Sequence, residues 1–191
     1  MSQQLADDLA RNFTDISGIQ CTATFMKNGE SHIPTILAAG WKGVYVFLLS
    51  EIICFKVGKA DIKSKARWNS HHYSLDSTTP STLTKSFLSD LDYFKSFYDN
   101  DTTKAEIDMF GIIIDKYIPI AENIKFKTNI KNLDKDKVKK MSNDLNLKTW
   151  IKNNMSRIEF LIPGDASSSV LNLLEAFIQF KLNPIYEGSN A

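Results

Sequence analysis

The sequence predicts an α+β fold in which a small three-stranded antiparallel sheet is flanked by helices. Two runs rich in β-branched and aromatic residues, 43–49 and 52–57, follow each other closely enough to form a hairpin. A third run, 157–162, alternates as a strand does and ends at a Pro-Gly pair. Apolar residues at helical spacing occur on both sides of these runs, which indicates flanking helices.

Length and composition fit one domain spanning residues 1–191. The chain has 23 basic and 22 acidic residues, so its overall charge gives no support to indiscriminate nucleic-acid coating, and any DNA binding must come from local charge. The two cysteines, Cys21 and Cys54, lie far apart, which excludes a disulfide framework or a zinc ribbon and favours the cytoplasm. We expect neither a signal peptide nor a membrane segment.

The first part of the chain divides into an N-terminal extension, residues 1–40, and the start of a core, 41–75. Within the extension, apolar residues four apart predict a short amphipathic helix over 5–14. The hairpin follows. Asp61 can cap a helix that we expect to run to about Tyr73.

A mainly helical insertion, residues 76–149, is expected between the first core helix and the third strand. Apolar residues at helical spacing predict a helix over 83–98, residues 104–120 suit a helix or a strand, and the pattern is helical over 134–153. The core resumes over 150–186 with the third strand and a last helix. That helix opens at Ser167, and the pair after Leu182 is the helix stop Asn-Pro.

The hairpin brings a tyrosine and a lysine together on one face of the sheet. A turn centred between Ser50 and Glu51 pairs Tyr45 with Lys56, and side chains directly opposite each other have Cβ atoms roughly 5 Å apart. A cation that close favours the phenolate and lowers the pKa of the tyrosine. Tyr45 is therefore a candidate general base.

Other candidate residues follow the hairpin. Gly58 stands where the backbone turns or lets another group approach closely. Arg67 and His71 are four residues apart and share one helix face, so a guanidinium that can grip a phosphate lies beside an imidazole. Glu175 interrupts the apolar face of the last helix and calls for a cation or a metal ion. One carboxylate with waters and a substrate phosphate can hold Mg²⁺.

These residues in this order resemble the GIY-YIG nuclease superfamily. The resemblance covers about 43–73 and 150–184. It is carried by Gly43-Val44-Tyr45, ten intervening residues, Lys56-Val57-Gly58, then Arg67-x-x-x-His71, and finally Glu175. Lysine replaces the tyrosine of the second half-motif, as it does in some restriction endonucleases of this superfamily.

The resemblance implies a metal-dependent DNA endonuclease. Tyr45 is then the general base assisted by Lys56, Arg67 binds the phosphate, His71 orients water or the base, and Glu175 holds Mg²⁺, for which Mn²⁺ can substitute. The expected partner is double-stranded DNA, with a homodimer for a palindromic site and neither a membrane nor an organic cofactor. The residues expected against DNA are Lys59, His72, Tyr73 and Asn183.

Three functions remain open at this point. A type II restriction-type enzyme is the first expectation, because small members of the superfamily without an accessory DNA-binding domain include such enzymes. A low-specificity nuclease of phage or mobile-element origin is the second. The third is an inactive DNA-binding module that keeps the scaffold, which the lysine in the second half-motif makes conceivable.

Overall fold

The computed structural model describes residues 3–49, 53–69, 72–73, 83, 147–184 and 186–187. The chain divides into two compact units, the first formed by residues 1–74 and 148–191 and the second by residues 75–147. The first unit contains the predicted core. Three predictions fall mostly outside the described residues: the helix over 83–98, of which only Leu83 is described, the stretch 104–120, and most of the helix over 134–153.

The described part of the chain combines helices with a mainly antiparallel sheet, as expected for an α+β fold. In chain order the elements are α1 (Gln3–Ser17), β1 (Thr22–Met26), β2 (Trp41–Leu49), β3 (Ile53–Ala60), a 3-10 turn (Ile62–Ser64), α2 (Lys65–Asn69), α3 (Leu147–Asn154), β4 (Met155–Pro163), α4 (Ser168–Leu182) and β5 (Tyr186–Glu187). The three predicted strands correspond to β2, β3 and β4, and the predicted first and last helices correspond to α1 and α4.

Side-chain caps fix the helix boundaries. The Asp61 carboxylate accepts the backbone N–H groups of Lys63 and Ser64, and the Ser64 hydroxyl accepts the N–H of Asp61 in return, a complete capping box. The predicted helix begins here but does not reach Tyr73, because α2 ends at Asn69 and residues 72–73 form a turn. Ser167 caps α4, as predicted.

The sheet is larger than the predicted one. Its strand order is β1-β4-β2-β3-β5, in which the first four strands are antiparallel and the two-residue β5 runs parallel to β3. The expectation of three strands is therefore wrong, because it misses β1, which pairs with β4 from Thr22↔Leu161 to Met26↔Arg157. Five residues with only two large apolar side chains give a weak strand signal, and pairing with a distant strand decides their conformation.

One face of the sheet carries the main hydrophobic core. We call it the core face; its strand residues include Val44, Val46, Val57, Ile158 and Phe160. Helices α1 and α4 cover it with the side chains Ala6, Leu9, Phe13, Leu171, Leu174 and Ile178. The N-terminal residues treated as an extension therefore supply both a helix of this core and a strand of the sheet.

The opposite face is polar and aromatic. We call it the polar face; it presents Tyr45, Phe47, Lys56, Gly58, Arg157 and Glu159, all of them buried. Trp68 of α2, the turn residues His72 and Tyr73, and His32 and Thr35 of the segment before β2 pack on it. None of the helices in the described residues is long and apolar enough to cross a membrane.

Candidate functional site

The register of the hairpin places Tyr45 opposite Gly58. The predicted pairing of Tyr45 with Lys56 is wrong, because Lys56 lies opposite Phe47, one pair further along the same face. Two features change the register. The last pair, Leu49↔Ile53, leaves three residues for the turn, and the pairing shifts between Phe47 and Leu48 so that Phe55 is an extra residue of β3.

Gly58 lets the ring of Tyr45 lie over the backbone of β3. A Cβ atom added at Gly58 would lie 2.6 Å from both Cζ and the hydroxyl oxygen of Tyr45, closer than any side chain permits. Aromatic rings surround the tyrosine in edge-to-face geometry, with centroids 4.9 Å away for His72, 6.0 Å for Phe47 and 6.1 Å for Trp68. Tyr45 is therefore held in one orientation, and its hydroxyl reaches the backbone of β3.

The environment of Tyr45 disfavours its phenolate in the resting protein. Burial raises the pKa of Tyr45 to about 12, the guanidinium groups of Arg157 and Arg67 lower it, and the Glu175 carboxylate raises it. The charges that lower this pKa are those of Arg157 and Arg67, and the activation of Tyr45 by Lys56 stays a prediction.

Lys56 is itself a perturbed cation. The side chain is 2% exposed, and burial lowers the pKa of Lys56 to about 8, with Arg67 lowering it further and Glu175 opposing the shift. A lysine with this pKa is partly neutral near physiological pH. Lys56 can therefore accept a proton, which an ordinary surface lysine cannot do.

Arg67 and Glu175 approach this pair from two different elements. Arg67 is an exposed residue of the short helix α2. Glu175 belongs to α4, which covers the core face, yet its charge acts on both Tyr45 and Lys56, which face the other way. Its Oε2 lies 2.6 Å from Nζ of Lys59, the β3 residue that follows Gly58. The charges of Arg67 and Glu175 therefore act on both Tyr45 and Lys56, although Glu175 comes from the helix that covers the opposite face of the sheet.

The remaining predicted residues have different positions. His71 lies outside the described residues. His72 and Tyr73 are buried against the aromatic residues of the polar face, so in this structure neither is available to DNA. Asn183 is exposed and takes the left-handed conformation, φ 46°, that ends α4, so its observed contribution is a helix cap.

A buried polar network beneath Tyr45 was not predicted. Arg157 makes an ion pair with Glu159, with 2.9 Å between Nη2 and Oε1, and its Nη1 donates to the hydroxyl of Tyr73. That hydroxyl lies 2.6 Å from Nε2 of His32, and the Thr35 hydroxyl donates to Glu159. The sequence does contain a signal for this network. Arg157 and Glu159 are two positions apart in the strand run 157–162, so their side chains must lie on the same face of the sheet.

Among the described residues around Tyr45, the carboxylate that a metal ion could reach is Glu175, because Glu159 is buried in an ion pair with Arg157. Among the described residues, no three histidine, cysteine, aspartate or glutamate side chains lie close enough together to form a metal cage. The Glu175 side chain is 18% exposed, and its Oε2 forms an ion pair with Nζ of Lys59. This donor set fits only a hard cation that takes most of its ligands from water and from a bound phosphate, as Mg²⁺ does.

Comparison with known proteins gives no match. No family model, no curated protein and no solved structure is similar to the chain. Function is therefore inferred from the residues and their geometry.

Proposed function

We propose that the protein is a metal-dependent endonuclease that hydrolyses phosphodiester bonds of double-stranded DNA, on a GIY-YIG-like core. The observation that carries the proposal is electrostatic. The charges of Arg67 and Glu175, which come from two helices far apart in the sequence, both act on Tyr45 and Lys56. A base, a cation for the phosphate and a carboxylate for a metal are the groups that such a reaction needs.

Arg67 is the phosphate-binding residue. It is exposed on α2, so an incoming phosphate can reach its guanidinium, which suits two parallel hydrogen bonds to phosphate oxygens. The same charge lies close enough to Tyr45 to lower the pKa of that phenol. Arg67 therefore stabilises negative charge both on the reacting phosphate and on the base.

Glu175 is the residue that would hold Mg²⁺ or Mn²⁺. A bound divalent ion would polarise the phosphate and stabilise the departing oxygen. For the protein, neutralisation of the Glu175 carboxylate has a second effect, because that carboxylate raises the pKa of Tyr45. With a cation bound, the phenol of Tyr45 would therefore be more acidic than without one.

The general base is Tyr45 or Lys56, and the pKa values separate them. Tyr45, with a pKa of about 12, is almost entirely protonated at neutral pH, whereas Lys56, with a pKa of about 8, is partly neutral. If Lys56 removes the proton of the attacking water, the cleavage rate reaches a plateau above about pH 8. If Tyr45 does so, the rate continues to rise up to the highest pH at which the protein stays folded.

Sequence specificity of the restriction type, in a homodimer, is the preferred form of this activity. A low-specificity nuclease is the alternative within enzymes, and digestion of a sequenced plasmid separates the two, since discrete fragments indicate specificity and a smear indicates its absence.

An inactive DNA-binding module is the second candidate. The 3% exposure of Tyr45 favours it, because a buried phenol has little access to water.

The test is cleavage of supercoiled plasmid by the purified chain with Mg²⁺, with and without chelator. We expect nicking or linearisation that the chelator abolishes, and a loss of at least about 10²-fold in Arg67→Ala and Glu175→Gln. Arg11→Ala and Glu30→Gln, exposed residues outside the site, are matched controls that should keep full activity. Plasmid binding without cleavage in Mg²⁺ and Mn²⁺ would support the binding module instead.

A further inference from the structure

Arg157 is a fully buried cation in the centre of the polar face. Its side chain is 0% exposed, and its guanidinium carbon lies over four aromatic rings. The centroid distances are 5.3 Å for Tyr45, 5.4 Å for Phe47, 5.4 Å for Trp68 and 6.0 Å for Tyr73. A planar guanidinium attracts the faces of such rings electrostatically, and most strongly where water is excluded. Arg157 therefore interacts directly with the candidate base.

Three contacts fix the guanidinium itself. Its Nη2 lies 2.9 Å from Oε1 of Glu159 and donates to the carbonyl oxygen of Trp68, while Nη1 donates to the hydroxyl of Tyr73. Glu159 is in turn the β4 residue directly opposite Tyr45, and its other oxygen accepts the hydroxyl of Thr35. The plane of Arg157 is thus determined by β4, α2 and the segment before β2.

Stability alone does not account for this arrangement. Removing two charges from water is costly, and apolar residues of similar volume are often as stable as a buried ion pair or more stable. In addition, within the described residues Nε of Arg157 has no hydrogen-bond partner, so the arginine is not fully satisfied. Within this part of the chain, Arg157 is therefore a buried charge that lacks one hydrogen bond and contacts Tyr45. This combination indicates a role of Arg157 at Tyr45.

We propose that Arg157 is a positioning residue for Tyr45, whose ring it holds over Gly58 so that the hydroxyl stays against the backbone of β3. The role rests on the proposed nuclease function. The sequence predicts a different part for Lys56, the lowering of the pKa of Tyr45. In agreement with the proposal, Arg157 lowers that pKa more than Arg67 does, although burial dominates. Arg157 touches neither substrate nor metal and acts through Tyr45.

The experiment follows the phenol of residue 45 directly. In the full chain, Tyr45 is replaced by 3,5-difluorotyrosine, a more acidic phenol that titrates within an accessible pH range, and its ¹⁹F resonances are recorded against pH. The variants are Arg157→Met/Glu159→Gln, which removes both charges of the pair and so leaves none unpaired, and Arg11→Met as the surface control. Plasmid cleavage is measured in the same variants with the natural Tyr45.

We expect the midpoint to rise by about one pH unit in the double variant, which is a tenfold smaller phenolate fraction at a given pH, and to stay unchanged in Arg11→Met. In cleavage assays we expect kcat to fall about 10- to 100-fold with little change in KM, since a displaced base affects the chemical step. An unchanged midpoint in a folded double variant would overturn the proposal, whatever the cleavage result.

Two further outcomes keep the proposal distinct from the proposed function. If the parent protein does not cut DNA, the nuclease function fails, while the midpoint comparison still decides whether Arg157 controls Tyr45. If the double variant does not fold, Arg157→Lys replaces it, because lysine keeps the charge without the planar guanidinium. The ¹⁹F resonances of the neutral ring should then move, and identical resonances would equally overturn the proposal.

Discussion

The ring of Tyr45 occupies the space that a side chain at Gly58 would fill. This relationship makes Gly58→Ala a specific probe of the base. The added methyl group would lie 2.6 Å from Cζ and the hydroxyl oxygen of Tyr45, so the ring must move. We expect a loss of stability of about 1–3 kcal/mol from overpacking and a larger loss of cleavage than this stability change explains.

The matched control is Gly164→Ala. Gly164 is as crowded as Gly58, but by backbone atoms of Gly40, 2.6 Å from an added Cβ atom. Thermal unfolding should show similar destabilisation in both variants. Equal retention of plasmid cleavage by the two folded variants would contradict the functional importance of the Tyr45 orientation.

A second prediction concerns the cost of burying Lys56. Its pKa of about 8 is below the unfolded value of 10.5, so between these pH values the unfolded chain binds more protons and stability rises with pH. At pH 7 the buried charge costs up to about 3 kcal/mol. We therefore expect Lys56→Met to be more stable than the parent at pH 7, with the gain shrinking as pH rises towards 10.5.

Urea unfolding of the two proteins from pH 7 to 10 measures this difference. The comparison is made within each pH, so other groups that titrate there, such as the buried cysteines, cancel. A gain that stays constant over this range would show that packing, not charge, sets the effect of the substitution. Loss of cleavage in the same, more stable variant would identify Lys56 as a residue kept for function.

A third prediction concerns the ion pair between Lys59 and Glu175. Because Lys59 Nζ lies 2.6 Å from Oε2 of Glu175, a divalent cation must compete with the ammonium group for this oxygen. The lysine is 39% exposed, so the pair is worth at most about 1 kcal/mol. We expect Lys59→Met to bind Mn²⁺ two- to fivefold more tightly, as measured by electron paramagnetic resonance in the absence of DNA.

Lys63→Met, the removal of an exposed lysine nearby, should leave Mn²⁺ affinity unchanged. If Lys59 contacts a DNA phosphate once a cation has bound to Glu175, Lys59→Met should also show a smaller salt dependence of DNA binding, by about one phosphate contact. Weaker Mn²⁺ binding in Lys59→Met would contradict competition at Glu175.

A fourth prediction concerns acid stability. Burial lowers the pKa of His32 to about 4; in the neutral ring, Nδ1 donates to the Met155 carbonyl and Nε2 accepts from the Tyr73 hydroxyl. The folded value is below the unfolded value of 6.5, so stability is complete above pH 6.5 and falls as pH drops towards 4, by up to about 3 kcal/mol. Denaturant unfolding at pH 7 and pH 4.5 measures the loss, and in His32→Gln this acid-dependent loss should be smaller.

Local patterns predicted the individual elements better than their partners. The hairpin strands, the strand at 157–162 and the cap residues Asp61 and Ser167 carry strong local signals, and the structure confirms them. Strand β1 has a weak local signal, and its partner is distant in sequence, so neither propensity nor turn chemistry could place it. Its absence from the prediction made the sheet too small.

Arg67 and Glu175 each shift the pKa of both Tyr45 and Lys56, while the catalytic roles of these four residues stay predictions. The pairing inside the hairpin depends on one extra residue, and periodicity cannot detect a bulge. The contact of Arg157 with the ring of Tyr45 could not be predicted either, because burial and ring contacts depend on tertiary packing.

The hydrogen bond between His32 and the carbonyl of Met155 joins residues that are 123 positions apart. Strand β1 makes the same long connection to β4. The sheet edge formed by β1 and the contacts beneath Tyr45 can therefore form only after β4 has been synthesised. A chain truncated before β4 would carry the whole hairpin but would lack both Arg157 and Glu175.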